Sequence, residues 1–133
     1  MNRPEILLID DEPIVGQRLK GSLEKLGCVV QVFQDPSKAL DRIRETRFDI
    51  IVTDVMMPDV SGIQILEAAK AVSADTRVII ITGFATSALA RECMDKGAFD
   101  MIAKPFKPSD LRTLVLRAAK ELGFTELQET ANA

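Results

Sequence analysis

At 133 residues, 47% hydrophobic and 28% charged, the chain can hold one domain with a sizeable core, and its composition is ordinary for a globular protein. A net charge of -3 argues against a nucleic-acid-binding surface, no apolar run is long enough to span a bilayer, and the opening Met1-Asn2-Arg3-Pro4-Glu5 does not resemble a signal peptide, so a cytoplasmic location is expected. The chain has no His, Trp or Tyr, which removes imidazole bases, imidazole metal ligands, an internal phosphohistidine and tyrosine nucleophiles from any mechanism; Cys28 and Cys93 match no zinc or redox spacing and read as reduced, partly buried thiols.

Ile6-Leu7-Leu8-Ile9 is a continuous apolar run and predicts a buried strand, followed by Asp10-Asp11-Glu12. Pro13 suits the first turn of a helix, Ile14, Val15, Leu19, Leu23 and Leu26 recur at helical spacing, and Gly27 ends the pattern. Val29 to Phe33 is short and β-branched, a second strand. Asp35-Pro36 predicts a helix start with Asp35 as N-cap; Ala39, Leu40 and Ile43 form its buried stripe. A third strand covers Asp49 to Thr53 and ends at Asp54. A turn follows, and Gly62 opens a third helix through Ile63, Leu66, Ala68 and Ala69 to about Val72. Arg77 to Ile81 is a fourth strand, with Thr82-Gly83 after it. Ala85, Ala88, Leu89 and Met94 predict a fourth helix stopped at Gly97; Phe99 to Ala103 is a weaker fifth strand ending at Lys104-Pro105. After Pro108, the residues Leu111, Leu114, Val115, Ala118 and Leu122 define a last helix, which Gly123 closes.

Strands and helices alternate five times. That pattern calls for an α/β fold: a doubly wound, five-stranded parallel sheet with right-handed crossovers and five helices on its two faces. Residues 1–123 form the expected domain, and 124–133 read as a polar tail or the start of a linker.

All strand carboxyl ends of such a sheet lie on one edge, where open α/β sheets place their chemistry. Four strands end there on polar residues: Asp10-Asp11, Asp54, Thr82 and Lys104. With a flavodoxin-like order of 2-1-3-4-5, Asp10, Asp11 and Asp54 converge at the switch point. Three carboxylates in one crevice repel one another, and a divalent cation removes that penalty. All-oxygen ligation without His or Cys points to Mg²⁺, with Mn²⁺ or Ca²⁺ as alternatives, rather than zinc. Lys104 and Thr82 add an ammonium and a hydroxyl, and the set is suited to phosphoryl transfer, which needs positioning and charge neutralisation more than a base. Taken singly, each residue has a plainer reading: Asp10 and Asp11 as helix caps, Thr82 as a turn residue, Lys104 as a solvated loop lysine. Their coincidence on one edge carries the functional reading.

Four stretches then match a known family: Leu8-Ile9-Asp10-Asp11-Glu12-Pro13, Asp54-Val55-Met56-Met57-Pro58-Asp59-Val60-Ser61-Gly62, Ile81-Thr82-Gly83 and Ala103-Lys104-Pro105-Phe106. In order and spacing the chain resembles, from about Glu5 to Leu122, the receiver domain of two-component response regulators. The resemblance implies that Asp54 is the phosphoacceptor, attacking a phosphohistidine on a partner histidine kinase or phosphotransfer protein. It implies Mg²⁺ held directly by Asp11, Asp54 and the backbone carbonyl of Met56, with Asp10 acting mostly through water. Lys104 would pair with the acyl phosphate from a cis bond to Pro105, and Thr82 would be the switch hydroxyl. A face built from the fourth helix, fifth strand and fifth helix would be read by a downstream output domain or protein, or by a second copy in a phosphorylation-dependent homodimer. The domain itself would neither contact nucleic acid nor insert into a membrane, and its only turnover would be slow autodephosphorylation rather than conventional enzyme activity. Met101 stands where the family usually carries Tyr or Phe, so a sharp aromatic rotamer switch is not expected. Phe84 and Met56 would flank the site and govern water access.

Other classes remain to be weighed. A Mg²⁺-dependent phosphohydrolase with an aspartyl-phosphate intermediate would want an acid two residues after its nucleophile, where Met56 stands. A flavodoxin-like electron carrier would need a phosphate cradle in its first loop, where Asp10-Asp11-Glu12 would repel FMN phosphate. Two forms fit this reading: a stand-alone receiver, and the receiver fragment of a larger transcriptional regulator.

Overall fold

The computed structural model describes residues 3–57, 59–83, 87–125 and 127. The elements run β1 (Glu5–Ile9), α1 (Pro13–Glu24), β2 (Val29–Phe33), α2 (Pro36–Glu45), β3 (Ile50–Asp54), α3 (Gly62–Val72), β4 (Arg77–Thr82), α4 (Ser87–Asp95), β5 (Asp100–Ala103) and α5 (Pro108–Glu121). The strands form one parallel sheet in the order β2-β1-β3-β4-β5, as expected for this doubly wound fold.

A parallel sheet covered on both faces needs strands that are apolar throughout. The alternation of side chains then divides each strand between two cores. Ile6, Leu8, Val52, Ile79 and Ile81 face α1 and α5, where Leu19, Leu23, Leu111 and Val115 cover them. Leu7, Ile9, Ile51, Val78 and Ile80 face Ala39, Ile43, Ile65, Leu66 and Cys93 of α2, α3 and α4. β3 lies at the centre and is buried along its whole length.

Local signals set the helix ends. Asp35 accepts a hydrogen bond from the Ser37 amide at 2.9 Å, and Pro36 follows it in the first turn. Ser61 and Gln64 form a reciprocal capping box at the start of α3. Gly27 closes α1 at φ 102°, a left-handed conformation that glycine adopts without the steric cost of a Cβ.

The structure moves several boundaries. Thr82 is the last residue of β4, paired with Ala103, rather than a turn residue beyond it. Asp49 and Phe99 fall just outside β3 and β5. The Asp49 carboxylate accepts from the Glu5 amide and from Arg47, each at 2.8 Å, which ties the sheet's lower edge. α4 begins at Ser87, and Ala85 lies outside the described residues. Beyond α5, Phe124 and Leu127 pack against the α1/α5 core. Among the described residues, no helix is long and apolar enough to cross a membrane.

Candidate functional site

The strand ends deliver the expected residues to one crevice. Pairing of β1 with β3 places Ile9 opposite Thr53, so Asp10 and Asp54 follow at the same level. Pairing of β4 with β5 sets Thr82 beside Ala103, and the Lys104 amide donates to the Thr82 carbonyl at 2.8 Å. The Lys104–Pro105 bond is cis, as expected. A cavity of about 270 Å³ is lined by Asp11, Asp54, Val55, Met56, Thr82, Gly83 and Lys104. Asp10 sits just behind it, 3% exposed, and accepts a hydrogen bond from the Glu12 amide at 2.8 Å. Met56 is 69% exposed at the rim. Phe84, expected at the other rim, lies outside the described residues.

Charge is unevenly distributed here. Lys104 Nζ lies 3.2 Å from Asp54 Oδ2. Burial is the main influence on Asp54 and pushes its carboxyl above the usual carboxylate range; Lys104 opposes this, while Asp10 and Asp11 add to it. Asp10 is likewise pushed up, chiefly by burial, against the Glu12 amide and Lys104. Burial pulls the Lys104 ammonium down, but Asp54, Asp10 and Glu12 outweigh it and hold the pKa above the ordinary lysine value. One ammonium thus serves two buried carboxylates and their acidic neighbours.

Carboxylate oxygens of Asp10, Asp11 and Glu12 all lie within 4.8 Å of one another. Glu12 is an addition that the motif reading passed over, although the unbroken acidic run after β1 was its signal. Asp54 stands outside that group and is drawn to Lys104 instead. The donor set is all oxygen, crowded and under-neutralised, and it fits a hard divalent cation such as Mg²⁺.

A second unpredicted feature lies under β3. Thr53 is fully buried, and its hydroxyl reaches the Asp54 carbonyl at 3.0 Å and the Met57 thioether at 3.8 Å. Gly62 is also tighter than its helix-start role required: an added Cβ would lie 2.4 Å from the Asp54 carbonyl oxygen.

The sequence model of the response regulator receiver domain matches residues 6–116. The response regulator receiver protein CpdR of Brucella abortus is 33% identical over 106 residues, covering 80% of this chain and 88% of that protein. A CheY-like receiver domain protein from Methanospirillum hungatei superposes with a TM-score of 0.84 at 27% identity, covering 90% and 96% of the two chains. A Burkholderia pseudomallei response regulator, solved with a phosphorylated aspartic acid, a calcium ion and citrate, has a TM-score of 0.77 at 25% identity, covering 90% and 70%. Other curated relatives are longer: the chain spans 19%, 57% and 25% of three transcription regulators that it matches at 28–35% identity. A family match over most of the chain, a relative of nearly the same length and a shared sheet order agree, and the chain belongs to the receiver domains of two-component response regulators, which act as signalling switches.

Proposed function

We propose that Asp54 is the phosphoacceptor and that the crevice transfers a phosphoryl group to it from a phosphohistidine on a partner histidine kinase or phosphotransfer protein. One observation carries this reading: a buried carboxylate at the end of the central strand is held by a single lysine, 3.2 Å away, beside an acidic cluster. An Asp54 oxygen forms the new P–O bond as the P–N bond to the donor imidazole breaks, and the imidazole leaves with the bonding pair. No separate base is required of the site, because a carboxylate nucleophile has no proton to lose as it attacks.

Asp10, Asp11, Asp54 and the Met56 carbonyl are the proposed holders of Mg²⁺ (or Mn²⁺). When bound, the ion supplies charge neutralisation and in-line alignment for the transferring group. Lys104 turns from the free carboxylate to a phosphoryl oxygen, and the Thr82 hydroxyl donates to another. Phosphorylation adds roughly -1.5 to -2 of charge by analogy with other phosphoresidues. Water later cleaves the acyl phosphate slowly and regenerates Asp54, so the domain is a self-phosphorylating switch rather than a conventional enzyme. The α4–β5–α5 face passes the change to an output domain or protein, or to a second copy in a phosphorylation-dependent dimer. Residues 1–123 form the switch, and 124–133 are a polar tail or the start of a linker. The reading places the domain in the cytoplasm, with no nucleic acid contact and no membrane insertion of its own.

The test is phosphorylation by acetyl phosphate with Mg²⁺, followed by intact mass. Wild type gains one phosphoryl group, and Asp54→Asn or removal of Mg²⁺ by a chelator abolishes the gain. Label retained by Asp54→Asn would refute Asp54 as acceptor.

A further inference from the structure

The Thr53 hydroxyl lies inside the apolar layer beneath β3, with none of the residue exposed. A hydroxyl there is costly unless it is hydrogen-bonded. Valine, of nearly the same shape, would fill the position without that cost. One partner of the hydroxyl is the carbonyl of the strand's last residue, Asp54, at 3.0 Å; the other, Met57 Sδ at 3.8 Å, belongs to the loop that follows. A hydroxyl has one proton, so the two acceptors share a single donor. The bond pair brackets Val55 and Met56.

Val55 is independently fixed. Its amide donates to the Ile81 carbonyl at 3.0 Å, and its carbonyl accepts from the Gly62 amide at 2.8 Å. Met56 and Met57 lack such ties: the Met57 thioether is their one hydrogen-bonding atom with a partner among the described residues. The Met56 side chain points largely into solvent and cannot anchor the loop by burial. Among the described residues the Thr53 hydroxyl is thus the hydrogen-bonded tie from β3 to the Met56–Met57 stretch, and it acts beside the packing of Met57 against the α2/α3/α4 core.

We propose that Thr53 is a positioning residue for the cation site: its hydroxyl, held between the Asp54 carbonyl and Met57 Sδ, aims the Met56 carbonyl at the position of the metal. The inference rests on the reading of the crevice as a Mg²⁺ site that includes this carbonyl. Loss of such an outer partner typically weakens metal binding by roughly 10- to 100-fold. The thioether is a weak acceptor, so the lower end, roughly tenfold, is expected here.

Mg²⁺ binding to the whole chain is measured by isothermal titration calorimetry, since the chain has no Trp or Tyr to report by fluorescence. The Met56 and Met57 amide shifts are followed by NMR, and thermal stability is measured without the metal. Thr53→Val is expected to bind Mg²⁺ roughly tenfold more weakly, with displaced Met56 and Met57 amides and a melting temperature equal to or above wild type. Thr53→Ser, which restores the hydroxyl, is expected to recover most of the affinity. Met57→Leu, which removes the sulfur acceptor, is expected to weaken binding several-fold and decides the matter if Thr53→Val does not fold. Thr53→Val binding Mg²⁺ as tightly as wild type overturns the inference and leaves the metal site standing. Weakened binding that Thr53→Ser does not recover, with a lowered melting temperature, overturns it in favour of plain core packing. Wild type showing no Mg²⁺ response overturns the site reading and this inference together.

Discussion

Gly62→Ala tests how tightly the end of β3 is set against the start of α3. The added Cβ would lie 2.4 Å from the Asp54 oxygen and 2.7 Å from the Val55 Cα. Ordinary contact begins near 3.4 Å, so the two backbones must separate by about 1 Å (3.4 − 2.4). Neither side yields easily. α3 is held by its capping box and by buried Ile65, Leu66 and Ala69, and the Val55 amide is held by Ile81. Overpacking of this kind costs about 2–3 kcal/mol. The reduced freedom of alanine in the unfolded chain offsets up to about 1 kcal/mol, which leaves about 1–2 kcal/mol of net destabilisation. For a domain of this size that lowers the melting temperature by roughly 3–10 °C. The displaced group is the backbone of Asp54 itself. A shift near 1 Å at a reacting group can slow transfer by up to about 100-fold. Calorimetry gives the first quantity and the initial rate of phosphorylation by acetyl phosphate gives the second. Gly21→Ala is the control, since an added Cβ there has nothing within 4 Å, and it should stabilise by about 0.5–1 kcal/mol. Unchanged stability and rate in Gly62→Ala would refute the close approach. Lost stability with an unchanged rate would mean that α3 gives way and Asp54 does not move.

Two further outcomes follow from the titrating groups. Asp10 has a folded-state pKa raised above its unfolded value, so its ionised form weakens the fold at neutral pH. Asp10→Asn, which keeps the acceptor for the Glu12 amide, should raise the melting temperature at pH 7 without Mg²⁺. The gap to wild type should close as pH falls through the raised folded pKa and Asp10 takes up its proton; a gap independent of pH between neutrality and about 4 would contradict this. Cys28 is buried, and burial pushes its thiol up to about 12 from 9.0. Since the folded value is the higher one, the stabilisation is present below pH 9 and is lost as pH rises toward 12. Native protein should therefore resist alkylation at Cys28 near pH 8 and lose stability in the alkaline range, more steeply than Cys28→Ala; rapid native-state labelling would refute the burial argument.

The frame of the fold was legible because a parallel sheet covered on both faces leaves strong marks. Ile6 to Ile9 and Val78 to Ile81 are unbroken apolar runs, and Pro13, Pro36 and Pro108 each open a helix. The acidic and basic site residues were legible because they interrupt those runs at the same edge. Thr82 was misplaced because apolarity stops at Ile81 while the backbone ladder continues one residue further, to Ala103. Phe124 and Leu127 were hidden in a polar stretch whose composition outweighs two apolar side chains that find the α1/α5 core. Thr53 and Gly62 were invisible as site residues. A β-branched residue in an apolar strand and a glycine before a helix are both ordinary locally, and the contacts of Thr53 with Met57 and of Gly62 with the Asp54 backbone exist only once the chain turns back.

The same geometry explains why the crevice is chemically poised rather than merely acidic. Lys104 and Thr82 are carried by neighbouring strands joined at 2.8 Å through the Lys104 amide and the Thr82 carbonyl. The two strand ends are thus tied directly through backbone, with no side chain between them. Two residues upstream on β4, Ile80 pairs with Met101, which is half-buried in the core that also holds Cys93 and Leu89 of α4. An unbranched thioether adjusts to such a core through several small rotations. Between the crevice and α4 lie strand pairing and then the packing of an unbranched side chain. Graded repacking of Met101 within the core it shares with Leu89 is the motion this arrangement favours.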